Sequence, residues 1–243
     1  MPSVRLTLAR FSEDDRAAWL ASAVAVLSED ERERIAATPD LDARAQHAIG
    51  RATIRMIGAD ASGRRPSRLA IAVSDAGKPR LADLPELETS IAHTGRVVVV
   101  AACRSAAVGV DIEPALATAP DPRRLAERLF AEAEVVSLRD LPDAGLADWL
   151  SSVWTIKEAV GKALGLGMVP AFAGAIVEQH GSGFALISVP GGPPADSWTL
   201  HRLTAPGGDE KIAVALPAPG VELEPVSQLT LEAFTAACSA EQS

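Results

Sequence analysis

Trp154-Thr155-Ile156-Lys157-Glu158-Ala159-Val160-Gly161-Lys162 is the stretch on which the reading of this chain turns. Its pattern predicts a helix over about 146–164, stopped by the glycines of Gly165-Leu166-Gly167. Fourfold spacing sets Trp154, Glu158 and Lys162 on one face, with Lys157 displaced by about 100° around the axis. One carboxylate and two ammonium groups on a helix wall suit an anionic, metal-bridged substrate. The same residues also make an ordinary solvated Glu→Lys pair, worth roughly 0.3–0.5 kcal/mol.

Upstream stands a second acidic motif, Gly109-Val110-Asp111-Ile112-Glu113. On the strand expected over 107–113, residues two apart share a face, so Asp111 and Glu113 point the same way. Adjacent carboxylates repel, and burial worsens this unless a cation sits between them. A few hard oxygen ligands, with positions left for water and phosphate, are the usual surroundings of Mg²⁺, and Glu158 can supply a further carboxylate. The alternative is a pair of acids solvated where the strand leaves its sheet.

Working outward, an alternating strand is expected over 4–9, followed by a helix capped at Ser12. Ser28-Glu29-Asp30-Glu31 is a capping box opening a second helix that must end before Pro39. A third helix is expected over about 41–57, with Arg44 and Arg51 off its apolar stripe. Strands follow at 69–73, 88–94 and 97–103, the last apolar throughout and expected to be buried on both faces. Beyond the 107–113 strand come two helical stretches, about 122–130 and 131–141, and then the motif-bearing helix. Four strands are expected after it, at 173–179, 184–189, 197–203 and 211–216, with a short helix near 229–237. The order of elements implies an α+β fold of two similar, pseudo-symmetric halves. These divide as 1–106 and 107–220, with 221–243 as a tail.

Composition narrows the function. The 243 residues, 48% hydrophobic, can bury a large core. A net charge of −9 disfavours nucleic acid and anionic membrane as partners. No apolar run approaches the ~20 residues of a membrane span. The first residues lack the build of a signal peptide. Cys103 and Cys238 form no CxxC motif, so a soluble, reducing, cytoplasmic setting is expected.

Taken together, Gly109-Val110-Asp111-Ile112-Glu113 and, about 40 residues later, Trp154-x-x-Lys157-Glu158-Ala159-x-x-Lys162 resemble the signature pair of the 4′-phosphopantetheinyl transferases. Gly77-Lys78-Pro79 is similar to that family's GKP turn, and Ser90-Ile91-Ala92-His93-Thr94 to its serine–histidine segment. The four motifs occur in the family's order. Length and two-half layout resemble the larger, monomeric, surfactin-synthetase-activating class rather than the smaller trimeric acyl-carrier-protein synthases.

The resemblance implies transfer of the phosphopantetheine arm of coenzyme A to a serine of an apo acyl or peptidyl carrier protein, such as those of polyketide and nonribosomal peptide synthesis in secondary metabolism. It implies Mg²⁺ on Asp111, Glu113 and Glu158, and Lys162 and Lys157 on the pyrophosphate. Glu158 is also the best general base for the incoming serine. His93 would meet the 3′-phosphate of coenzyme A, with Lys78 and Pro79 along the adenosine end. Ala92 and Gln46 depart from the family's serine and arginine, leaving Arg44 or Arg51 to reach that phosphate. Carrier docking would fall on about 114–138, through Phe130-x-x-x-Glu134 and the basic Arg123, Arg124 and Arg128.

A catalytically silent homologue that binds coenzyme A or a carrier protein is the competing expectation. An unrelated Mg²⁺-dependent nucleotide enzyme is disfavoured, because the chain has neither a G-x-x-x-x-G-K-[ST] loop nor a G-x-G-x-x-G turn.

Overall fold

A computed structural model describes residues 1–114, 121–136, 138, 141–166, 174–181 and 183–239. The fold is α+β, and the chain divides into two compact units. One holds Val4–Ser105 with Glu224–Ser243; the other holds Met1–Ser3 with Ala106–Leu223.

In the first unit, β1 (Ser3–Arg10) lies antiparallel to β5 (Val97–Cys103), which pairs in turn with β4 (Glu88–Thr94). Every residue of β5 is buried, as its unbroken apolar run requires. Gly95, at φ 52°, makes the β4–β5 turn. Helices α1 (Arg16–Val24), α2 (Glu29–Ala37) and α3 (Leu41–Ser62) follow β1 in the chain. The capping box at α2 is complete: the Ser28 hydroxyl accepts from the Glu31 amide, and the Glu31 carboxylate accepts from that of Ser28.

Helix α3 runs five residues beyond its expected end and stops at Gly63, in the left-handed region at φ 70°. A short hairpin, β2 (Ile71–Val73) with β3 (Pro79–Leu81), follows. A Cβ on Gly58 would come within 2.6 Å of Leu81 and 2.9 Å of Leu69, so glycine lets the helix run on beneath the hairpin.

The second unit is built on α6 (Asp143–Leu164), longer than expected by its first turn. Against it lies a sheet ordered β6 (Gly109–Glu113), β10 (Lys211–Leu216), β9 (Thr199–Thr204), antiparallel throughout. Ala213 faces Asp111 across the ladder. Trp149, Val153, Ile156, Ala159, Val160 and Ala163 of α6 form a core with Ala213 and Ala215. Helices α4 (Pro122–Leu129) and α5 (Glu132–Val136) precede α6, and α5 is much shorter than expected. The hairpin β7 (Ile176–His180) and β8 (Gly183–Ser188) follows α6. After β11 (Glu222–Leu223), β12 (Ser227–Leu229) pairs parallel with β1, and α7 (Leu231–Ser239) ends the described chain. Among the described residues no helix is long and apolar enough to cross a membrane.

Candidate active site

The site in the second unit begins with a glycine. A Cβ on Gly109 would stand 1.8 Å from the Ala159 carbonyl oxygen and 2.5 Å from the Ala163 nitrogen. Strand β6 therefore presses directly on the α6 backbone. Because side chains alternate, Asp111 and Glu113 share the face of Gly109 and are carried along the same helix. Trp154, Glu158 and Lys162 are partly exposed on α6, as fourfold spacing expects, while their neighbours are buried.

Lys162 Nζ donates to Asp111 Oδ1 over 2.6 Å. The Trp154 side chain hydrogen-bonds the Glu113 carboxylate. Asp111 Oδ2 and Glu158 Oε1 are buried with no hydrogen-bond partner. Burial pushes the Asp111 carboxyl up, against the pull of Lys162. Burial and then the charge of Asp111 raise Glu113 to about 7, and the same two causes raise Glu158. Three carboxyls thus disfavour one another's ionisation, and Lys162 compensates only in part.

Among the described residues no three carboxylate, imidazole or thiolate side chains are gathered so that they could hold a metal ion as they stand. The donor chemistry nevertheless fits a hard divalent cation. Two buried carboxylate oxygens lack any partner, and mutual repulsion at Asp111, Glu113 and Glu158 is relieved by added positive charge.

Lys157 is corrected. It is 0% exposed, and its Nζ donates to Glu134 Oε2 over 2.7 Å and lies 5.2 Å above the Phe130 ring. One residue from Glu158, it points into the core rather than to a ligand. Glu134 is corrected with it: its carboxylate accepts from Lys157 and from the amides of Ala131 and Val177. It ties α5, α6 and β7 together and offers no docking surface. Arg123 likewise serves the fold, donating to the Leu138 and Leu141 carbonyls at 2.9 and 2.6 Å. Arg124 and Arg128 are exposed on α4. Residues 115–120, 137, 139 and 140, within or beside the expected docking stretch, lie outside the described residues.

The first unit holds a cavity of about 810 Å³ between α2, α3, the β2–β3 turn and β4. His93 and Ile91 border it from β4, while Ala92 between them is buried at 3% exposure on the opposite face. Gly77 and Pro79 border it from the hairpin. Lys78 does not. It is 7% exposed with its ammonium 3.5 Å from Glu88, and burial, opposed by Glu88, lowers its pKa. Its expected place along a ligand is corrected to a buried ion pair holding the turn. Arg44 is corrected too, since its Nε donates to the Thr38 carbonyl and it does not border the cavity.

Arg51 does border the cavity, as do Gln46 and three residues of α2 that the motifs did not single out, Asp30, Glu31 and Arg34. His47, to which the sequence assigned nothing, also lies there, its ring 5.5 Å from that of His93 and edge-on to it. The available signal was its fourfold spacing from Arg51.

Residues 107–216, which contain the carboxylate cluster, match the family model described as the 4′-phosphopantetheinyl transferase superfamily. A 4′-phosphopantetheinyl transferase of Bacillus subtilis is 30% identical over 144 residues, 59% of this chain and 62% of the relative. The Bacillus subtilis 4′-phosphopantetheinyl transferase Sfp is 30% identical over 124 residues, 51% of this chain and 54% of that one. The chain thus spans less than two thirds of the length of either. The 4′-phosphopantetheinyl transferase HetI of a Nostoc species is 30% identical over 162 residues, covering 65% of this chain and 68% of the relative. With that coverage, and with the matched segment carrying Asp111, Glu113, Glu158 and Lys162 on facing elements, the chain belongs to the 4′-phosphopantetheinyl transferase superfamily.

Proposed function

We propose that this protein transfers the 4′-phosphopantetheine group of coenzyme A to a serine of apo acyl or peptidyl carrier proteins. The observation that carries the reading is the group Asp111, Glu113, Glu158 and Lys162. It sets three carboxyls and one ammonium on two facing elements, with two carboxylate oxygens still unpartnered. Asp111, Glu113 and Glu158 would hold Mg²⁺, which supplies positive charge to the pyrophosphate of coenzyme A.

In the transfer, the serine oxygen forms a bond to the β-phosphorus of that pyrophosphate. The bond from this phosphorus to the bridging oxygen breaks, and adenosine 3′,5′-bisphosphate leaves. Glu158 is this chain's candidate general base for the serine proton, directly or through an intervening water. Lys162 neutralises charge building on the phosphate oxygens. His93 and Pro79 wall the cavity that would take the adenosine end. No nucleophile is needed from this chain, since the serine belongs to the partner.

Similarity to Sfp supports placing the chain in the larger, monomeric class. Cys103 and Cys238, both buried and outside any disulfide among the described residues, support a reducing, cytoplasmic setting. Exposed Arg124 and Arg128 give an otherwise acidic chain a local basic patch for an acidic carrier of polyketide or nonribosomal peptide synthesis.

The test is the intact mass of an apo carrier protein incubated with this protein, Mg²⁺ and coenzyme A. A gain of one phosphopantetheine unit, lost on chelating the metal, is expected. Tight coenzyme A binding with no gain across several carrier types would instead make the protein a silent binding homologue.

A further inference from the structure

The ladder between β6 and β10 sets Lys211 directly opposite Glu113. Side chains opposed in this way share a face, with Cβ atoms about 4.5–5.5 Å apart. An acid and a base so placed ordinarily pair, and the four-carbon stem of lysine easily spans the gap. Here Lys211 turns elsewhere. Its Nζ lies 2.9 Å from Asp148 Oδ1 on α6, while the Glu113 carboxylate is hydrogen-bonded by the Trp154 side chain.

Asp148 is itself held from a second side. Its Oδ2 lies 3.5 Å from Arg202 Nη1, and that same nitrogen donates to the Ser152 hydroxyl, one turn further along α6. The Arg202 guanidinium carbon in turn sits 4.6 Å from the centre of the Phe184 ring. The Lys211 hydrogen bond, with the charges of Lys211 and Arg202, holds the Asp148 carboxyl below its ordinary range, so it is ionised at neutral pH. Where Lys211 points matters, because Glu113 cannot serve two cations. An ammonium on its carboxylate would relieve the repulsion from Asp111 and Glu158 and occupy the oxygens that a divalent ion needs.

We propose that Asp148 is a positioning residue for the carboxylate cluster: by holding Lys211 away from Glu113, it keeps that carboxylate open to a divalent cation. The assignment rests on the metal-assisted transfer proposed above. Asp148 acts only through Lys211, and neither side chain touches the reacting atoms.

Titration of the full chain with Mn²⁺, followed by electron paramagnetic resonance of the unbound ion, tests it. The wild type is compared with Asp148→Asn, Lys211→Met and the double variant. Asp148→Asn should bind Mn²⁺ about fivefold or more less tightly, as the released lysine swings onto Glu113. Lys211→Met alone should shift affinity by less than about twofold, since in the wild type that charge is held off and partly screened. In the Asp148→Asn background the same change should restore affinity to near the wild-type value. Charges acting only at long range would instead make Lys211→Met worth the same factor in both backgrounds. Asp148→Ser carries the same comparison should Asp148→Asn fold poorly. Equal factors, or no loss in Asp148→Asn, would overturn the role of Asp148 while leaving the metal site standing. A wild type that takes up no Mn²⁺ would overturn the metal site and this assignment with it, and the intact-mass transfer assay on the same sample would decide separately whether the proposed function stands.

Discussion

A methyl group on Gly109 would lie 1.8 Å from a backbone oxygen of α6, well inside any real contact, and neither strand nor helix has a flexible side chain there to give way. Gly109→Ala must therefore push β6 off α6. We expect a loss of about 3 kcal/mol or more in unfolding free energy by urea denaturation, with transfer falling in parallel as Asp111 and Glu113 move from Glu158. A variant as stable as the wild type would show that the close approach is not maintained in solution. Glu158→Gln tests the chemistry apart from the fold. The amide is nearly isosteric but cannot take a proton, so transfer should drop by about 10²- to 10⁴-fold with the circular dichroism spectrum unchanged. Turnover near the wild-type level would remove Glu158 from the mechanism. Glu158 stands out in the sequence by its motif, whereas the reason for Gly109 does not, because it lies in Ala159 and Ala163, about fifty residues away.

Elements with a strong period could be read from the sequence. The apolar run of β5 and the bounds of β4 and β10 follow from side-chain alternation and from turns that need glycine, and α6 follows from its stripe. What escaped is which partner each buried polar group chooses. Lys157 reads as a surface cation until α5 and β7 close over it, and Glu134 as a docking residue until three donors converge on it. The capping box of α2 could be read locally, but its Glu31 has a second role that could not, bridging to Arg55 of α3. That bridge sets a pH dependence. Burial alone would raise the Glu31 pKa, but Arg55, through its hydrogen bond and charge, and Ser28 outweigh it and hold the carboxyl below its ordinary 4.5. A carboxyl depressed in the folded state stabilises the fold above its unfolded pKa and loses that contribution as pH falls through the lower, folded value. Melting temperatures measured down an acid series should converge for the wild type and Glu31→Gln below about pH 4.5, with the wild type higher at neutral pH. A constant gap across the series would exclude the bridge as the cause.

At the scale of the whole molecule, the chain leaves its first unit after Ser105, builds the second, and comes back at Glu224. The sequence placed only a tail and a short helix there, because nine residues of α7 have a modest apolar face and nothing in their order says what it covers. In the structure Phe234 is 0% exposed, with its ring 4.8 Å from that of Trp19, and Cys238 is buried beside the same core. Helix α7 therefore completes the unit that holds the cavity, while the carboxylate cluster is assembled from 109–162 without it. Removing the Phe234 ring should accordingly act on one unit first. Phe234→Ala is expected to cost about 3–5 kcal/mol, since it leaves a cavity against Trp19 that the surrounding helices can only partly fill. Limited proteolysis with mass-spectrometric mapping on warming should show new cuts appearing first within Val4–Ser105, with coenzyme A affinity falling at the same temperature. Cuts that appear simultaneously across 106–223 would mean that the loss of this one ring is felt by the entire chain, and that the two units unfold as one.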